Sequence, residues 1–227
     1  MSMPFYVNPE QVMRDKADYA RKNIARGRPL VGLKYADGIV IVAENASRSL
    51  HKVSEIYDRI AFAGVGLYNE FEQMRVAGVR HADTKGYAYS REDVDARALA
   101  NVYGQYLHHV FTHELKPMEV EILVAEVGAS GEEDRLFHIA YDGVVMDDDR
   151  CSVLGGDAES VAERLDPSWE ENLSLEEAVR RAVAALAGPD REIGADALEV
   201  AYLSRTNGRR AFRRLQAEDL AAVLAST

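Results

Sequence analysis

Two apolar runs, Leu30 to Tyr35 and Ile39 to Ala43, flank Asp37-Gly38 in the first fifth of the chain. An Asp-Gly pair supplies the positive φ angles of a tight turn, so this stretch predicts a β-hairpin. In the second arm Ile39, Val40, Ile41, Val42 and Ala43 are apolar without alternation. A strand of that kind is covered on both faces, which requires further layers above and below it. Upstream, Val12 or Met13, Ala17, Ala20 and Ile24 recur at three-to-four spacing. They predict a helix from Pro9 to about Arg26, with Asn8 as its cap, proline in its first position and Gly27 as its stop.

Downstream, Val53 to Tyr57 and Ile60 to Val65 read as strands, and Gly64-Val65-Gly66 breaks the pattern. Phe71, Met74 and Val76 or Ala77 predict a helix from Leu67 to about His81. Ser90 caps a second helix that carries Val94, Leu99, Val102, Tyr106, Leu107 and Val110. Val120 to Val127, Arg135 to Tyr141, Val144 to Met146 and Cys151 to Leu154 follow as strands. Helices are expected over Asp157 to Leu165 and, capped by Ser174, over Leu175 to Leu186. A last hairpin joins Leu198 to Ser204 with Ala211 to Leu215 through Asn207-Gly208, and Gln216 to Ala225 ends as a helix. Strand blocks interleaved with helix pairs predict two stacked antiparallel sheets with helical layers outside.

Composition narrows the partners. The net charge of −11 argues against general affinity for nucleic acid or anionic membrane, since both attractions need positive charge. One cysteine, Cys151, excludes an internal disulfide and a multi-thiolate metal site, which suits the cytoplasm. No signal segment or membrane span is evident. At 227 residues the chain is expected to form one domain over 9–227, preceded by a tail of residues 1–8 that nothing local fixes.

Few residues offer chemistry. His109 and His113 have the i, i+4 spacing of a metal pair, and His108 adjoins them, but no His-Glu-x-x-His context accompanies them; they read as a wet helix face. Arg205, Arg209, Arg210, Arg213 and Arg214 make the last hairpin basic, which reads as a subunit contact or solvated charge. Gly64-x-Gly66 is too short for a phosphate loop. Trp169, Tyr103 and Tyr106 read as core or interface aromatics, and Glu44 as a solvated charge at a strand end. No metal and no cofactor is expected.

Several stretches together resemble a known family. Asp18-Tyr19-Ala20-Arg21-Lys22-Asn23-Ile24-Ala25-Arg26-Gly27 followed by Leu30-Val31-Gly32-Leu33-Lys34-Tyr35-Ala36-Asp37-Gly38 is similar to the N-terminal signature of proteasome α subunits. Ser47 to Lys52, Asp58 to Gly66 and Ala82 to Tyr89 agree, and the start Met-Ser-Met-Pro-Phe-Tyr-Val-Asn is most similar to the actinobacterial members. The resemblance covers essentially the whole chain. It implies an α+β fold, the four-layer αββα sandwich of N-terminal-nucleophile hydrolases, with an extra N-terminal helix.

The resemblance also implies roles. Catalytic β subunits of this family begin with a threonine whose hydroxyl attacks the peptide and whose free amine serves as base. Here the equivalent place reads Gly27-Arg28-Pro29, so the chain is expected to be non-catalytic; the alternative, a self-processing threonine peptidase, finds no nucleophile there. The expected partners are copies of itself in a seven-membered ring, a β subunit, protein substrates and the C-terminal tails of regulatory AAA ATPases, in Pup-dependent degradation. Lys52, with Gly27, Asp18 and Leu67, matches the pocket for those tails. Ser2, Met3, Pro4, Phe5, Tyr6, Val7 and Asn8 match the gate, although the Tyr-Asp-Arg gate motif of archaeal and eukaryotic members is absent.

Overall fold

The computed structural model describes residues 8–165, 170 and 172–225. Helix α1 spans Pro9–Ile24, and the Asn8 side chain accepts a hydrogen bond from the Glu10 N–H at 3.0 Å, which satisfies one of the open amides of the first turn. Strands β1 (Leu30–Tyr35) and β2 (Gly38–Glu44) form the expected hairpin, with Leu30 opposite Ala43 and Tyr35 opposite Gly38. The turn residues are Ala36 and Asp37. Of the Asp-Gly pair only Gly38 has positive φ, at 153°; a Cβ there would lie 2.1 Å from the Leu203 carbonyl oxygen, so close approach of a neighbouring strand fixes the glycine.

The chain continues through β3 (Val53–Tyr57), β4 (Ile60–Gly66), α2 (Tyr68–Ala88), α3 (Ala96–His113), β5 (Val120–Glu126), β6 (Arg135–Ile139), β7 (Val145–Asp148) and β8 (Cys151–Leu154). It closes with α4 (Ala158–Leu165), α5 (Leu175–Ala187), β9 (Leu198–Ser204), β10 (Phe212–Arg214) and α6 (Ala217–Ala225). The strands make two antiparallel five-stranded sheets, ordered β10-β9-β2-β1-β8 and β3-β4-β5-β6-β7.

The period of two in each strand sorts side chains between layers. From β2, Ile39, Ile41 and Ala43 enter the core between the sheets, where they join Ala61, Ala63, Leu123 and Ala125. Val40 and Val42 point the other way, into a cluster with Val179, Ala182 and Leu186 of α5. On the far sheet Ile60 and Phe62 pack with Phe71 and Met74 of α2 and Leu99 and Tyr103 of α3. The order of layers is helix, sheet, sheet, helix: the αββα sandwich. Ala20 and Ile24 of α1 belong to the inter-sheet core, so the extra helix seals one end of the sandwich.

Several boundaries differ from the sequence expectation, three of them for local reasons. Helix α2 runs to Ala88, beyond His81, because its core face changes to the small residues Gly78, Ala82 and Gly86, whose apolar signal is weak. Ser90 caps only a one-turn 3-10 helix, Arg91–Asp93, and α3 starts at Ala96 behind its own cap Asp95, so Val94 precedes the helix. Strand β10 is three residues long, and Arg205–Asn207 forms a 3-10 turn ahead of Gly208 in the last hairpin.

The small residues of α2 make a sharp test. A Cβ on Gly78 would fall 1.7 Å from the Tyr103 hydroxyl oxygen, and that hydroxyl has no hydrogen-bond partner among the described residues. Gly78→Ala is expected to lower the unfolding free energy by about 1–3 kcal/mol through overpacking. Tyr103→Phe alone should be neutral or stabilising, since it removes an unpaired buried polar group. In denaturant titrations the double variant should recover part of the loss, because the ring carbon behind the hydroxyl is still only 2.8 Å away.

Candidate functional site

Arg28, between α1 and β1, sits among charge partners. After α1 the Gly27 N–H donates to the Ile24 carbonyl at 2.8 Å, and Gly27 packs so tightly that a Cβ would lie 3.0 Å from a Val65 methyl. Arg28 then enters β1 with its guanidinium donating to Glu44, at the end of β2. Arg191, in the loop after α5, closes on the same carboxylate from the other side, Nη1 to Oε1 at 3.1 Å and Nη2 to Oε2 at 2.8 Å. Glu44 is only 3% exposed, so the solvated strand-end charge expected from sequence is corrected to a buried carboxylate held by two arginines. Burial pushes its pKa up, but the hydrogen bond and charge of Arg191, with those of Arg28, outweigh it and hold the carboxyl below its usual range.

Lys52 lies at the end of the loop between β2 and β3, and its ammonium donates to the Arg28 carbonyl at 2.6 Å. Its pKa is pushed down to about 8 by burial, against the opposing pull of Glu44 and Glu199 and with a further push from Arg28. The loop itself is tied to Glu199 on β9, which is 8% exposed. Onto that one carboxylate converge the Asn45 amide at 2.8 Å, the Lys52 N–H at 2.8 Å, the Val53 N–H at 3.3 Å, the His51 ring at 3.2 Å and the Arg214 guanidinium.

Leu67 is near the same end of the sandwich. Gly66, at φ 108°, turns the chain where a Cβ would strike the Glu119 carbonyl oxygen at 1.9 Å, and the Leu67 N–H donates to that oxygen at 2.9 Å. Leu67 is 45% exposed. Lys52 is therefore joined to Gly27 through Arg28, and Gly27 to Leu67 through the packed Val65-Gly66 pair. Asp18 stands apart on the exposed face of α1, where its charge partner is Arg21 at 3.9 Å; its neighbour Tyr19 reaches Glu119 at 3.3 Å.

Other residues singled out by sequence have plainer surroundings. The His109 and His113 rings stack at 4.5 Å, but Nδ1 of His113 faces the His109 carbonyl at 3.1 Å and the Thr112 hydroxyl at 2.7 Å. His108 faces the Asp142 carbonyl at 3.3 Å. Among the described residues no group of three or more His, Cys, Asp or Glu side chains could hold a metal ion. Four of the five arginines of the basic hairpin pair within the chain, Arg205 with Asp134 at 2.7 Å, Arg210 with Glu55 at 2.6 Å, Arg214 with Glu199, and Arg209 toward Asp58 at 3.9 Å, while Arg213 donates to the Phe212 carbonyl at 3.4 Å. Tyr103 is core, Tyr106 is 47% exposed, and Trp169 and residues 2–7 lie outside the described residues. No helix among the described residues is long and apolar enough to cross a membrane.

Sequence comparison places this geometry in a family. A family profile described as "Proteasome subunit" matches residues 24–202. A protein named "Proteasome subunit alpha" from Acidimicrobium ferrooxidans is 61% identical over 224 residues, covering 99% of this chain and 97% of its own. Proteins of the same name from Kineococcus radiotolerans, 56% identical with both chains covered completely, and Thermobifida fusca, 56% identical across 99% of this chain and 91% of its own, are similar along their length.

The buried carboxylate sets a pH test. Glu44→Gln should cost roughly 1.5 kcal/mol at neutral pH, the low end for a charged hydrogen-bonding group because both arginines are about half exposed. A carboxyl held below its ordinary 4.5 contributes stability that is complete above that value and lost as pH falls through its lowered folded value. The gap between wild type and Glu44→Gln, read from urea unfolding, should therefore be constant above about pH 5 and close on acidification below 4.5. A constant gap down to pH 3 would remove Glu44 from the account.

Proposed function

Because this chain belongs to the proteasome subunit family, on its α side, we propose that it is a non-catalytic subunit that builds the outer seven-membered rings, gates substrate admission and docks regulatory ATPases. The observation that carries the reading is Arg28. A threonine peptidase of this fold needs a hydroxyl and a free amine at that point, since the amine is the base that takes the hydroxyl proton. Gly27-Arg28-Pro29 supplies neither a hydroxyl nor a thiol, and the Arg28 side chain is committed to Glu44. The αββα fold thus serves assembly, while the β subunits of the same particle carry the peptidase chemistry. In this role the partners are copies of the same chain, the β ring and protein substrates, in the cytoplasm and in degradation of Pup-tagged proteins.

Residues 1–8, ahead of the domain 9–227, are assigned the gate. Lys52, Gly27 and Leu67 are assigned the pocket for an ATPase C-terminal tail, with Asp18 at its margin. An ammonium with one bond to a backbone carbonyl keeps two donors for a terminal carboxylate, and a glycine allows a peptide backbone to come close.

Two experiments test this. The native complex should be a very large particle that contains this chain intact through Gly27-Arg28 by mass spectrometry. A second subunit beginning with threonine should account for all its peptidase activity; a small active species cut near Gly27 would overturn the reading.

The second experiment concerns the tail pocket. Lys52→Ala should leave the particle assembled and abolish ATPase-stimulated proteolysis. With the Lys52 pKa near 8, the free site loses its positive charge as pH rises from 7 to 9. Affinity for a tail carboxylate should fall across that window, where a fully solvated lysine would hold it to above 10. Unchanged stimulation in the variant sinks the assignment, and a flat profile from pH 7 to 9 sinks the buried state of the lysine.

A further inference from the structure

We infer that Glu199 is the positioning residue of the Lys52 site. The inference rests on the tail-pocket reading of Lys52 and adds what holds that lysine in place. Lys52 lies at the end of a loop, Asn45 to Lys52, whose ends are tied by backbone bonds: the Asn45 N–H donates to the Ala197 carbonyl at 2.8 Å, and the Gly64 N–H of β4 donates to the Lys52 carbonyl at 3.0 Å. Its order comes from local bonds: the Ser47 N–H on the Asn45 side chain at 3.0 Å, the Leu50 N–H on the Ser47 hydroxyl at 3.1 Å, and the Asn45 amide on the Leu50 carbonyl at 2.8 Å.

Those bonds shape the loop, and the two backbone bonds pin its ends, but none of them reaches the Lys52 N–H or joins the two ends to each other. The side-chain link between the two ends runs through the Glu199 carboxylate, which takes donors from both, Asn45 at one and His51 with the Lys52 and Val53 backbone at the other. Glu199 itself is fixed by β9, opposite Ala43 of β2, and by Arg214 of β10, which also donates to the Val53 carbonyl at 2.8 Å. A buried carboxylate that accepts several donors has little freedom to move, because each lost bond leaves a desolvated charge. Lys52 inherits that rigidity through its own N–H, and its side chain then needs only one bond, to Arg28, to be aimed.

The test uses the assembled particle and a synthetic peptide copied from a regulatory ATPase C-terminus, with a free carboxylate or amidated. Glu199→Gln should weaken the free-acid peptide at least tenfold and leave the amidated peptide unchanged. Asn45→Ala, which keeps the Glu199 charge and removes the side-chain bonds that tie one end of the loop to Glu199 and Leu50, should let Lys52 hydrate. Its titration midpoint, followed by NMR of labelled lysine side chains, should climb from about 8 toward that of an ordinary lysine. A general loss of stability would not move that midpoint.

The inference is overturned if Glu199→Gln assembles and binds the free-acid peptide within twofold of wild type. If that variant does not assemble, an unmoved Lys52 midpoint in Asn45→Ala overturns it instead. Failure of the underlying reading is separable: Lys52→Ala would then still distinguish the free-acid from the amidated peptide.

Discussion

Strand β2 is buried at all seven positions, and that one constraint organises the molecule. A strand with side chains in the inter-sheet core on one face and against α5 on the other has no wet side, so its sheet cannot stop at two layers. Every strand that flanks it has to carry apolar residues in both registers, and every polar group has to be displaced to the strand ends. Glu44, the last residue of β2, is where the apolar run stops, and it is where the first buried charge appears.

The displacement concentrates charge at one end of the sandwich. Glu44 and Glu199 are both nearly inaccessible, and neither is left with a single partner: one takes Arg28 and Arg191, the other Arg214, Asn45, His51 and two backbone amides. Burying a carboxylate costs far more than one hydrogen bond returns, so multiple donors are the condition for its being there at all. Lys52 bonds to a backbone carbonyl and not to a side-chain carboxylate, and burial, only partly offset by the charges of Glu44 and Glu199, depresses its pKa. On the reading proposed above, it is the receptor for a carboxylate brought from outside.

The fold was largely legible in the chain because its layers are written in local periodicity. Leu30 to Tyr35, Val53 to Tyr57, Cys151 to Leu154 and Leu198 to Ser204 match their strands residue for residue, since alternation, turn residues and caps all lie within a few positions. Helix α2 outran its apolar pattern where Gly78, Ala82 and Gly86 carry the core face, because small residues pack closely and signal weakly. The site was less legible. Lys52, Gly27, Asp18 and Leu67 were singled out only through resemblance, while Glu199 and Arg191 carried no signal: each meets its partner across some 147 residues of sequence, and an isolated Glu or Arg outside a motif looks like any surface charge. Glu44 was misread for the same reason. Its exposure depends on Arg28 and Arg191 arriving together, which no window of sequence contains.

On the non-catalytic reading, Arg28 shows why the loss of a nucleophile in this fold is not a single-residue matter. Its guanidinium balances Glu44, its carbonyl receives Lys52, and its nitrogen is in a peptide bond to Gly27. A threonine placed at 28 would supply the hydroxyl, yet its nitrogen would remain an amide with no proton affinity to act as base. It would also leave Glu44 with one arginine in place of two, and so unsettle the carboxylate beside Lys52. The features that would have to be undone to recover peptidase chemistry, the upstream helix α1 that seals the core with Ala20 and Ile24 and the ion pairs at the start of β1, are the ones that hold this end of the sandwich together. Rigidity at this end and catalysis at this position make opposing demands on the same few residues, and here the demands of rigidity are the ones met.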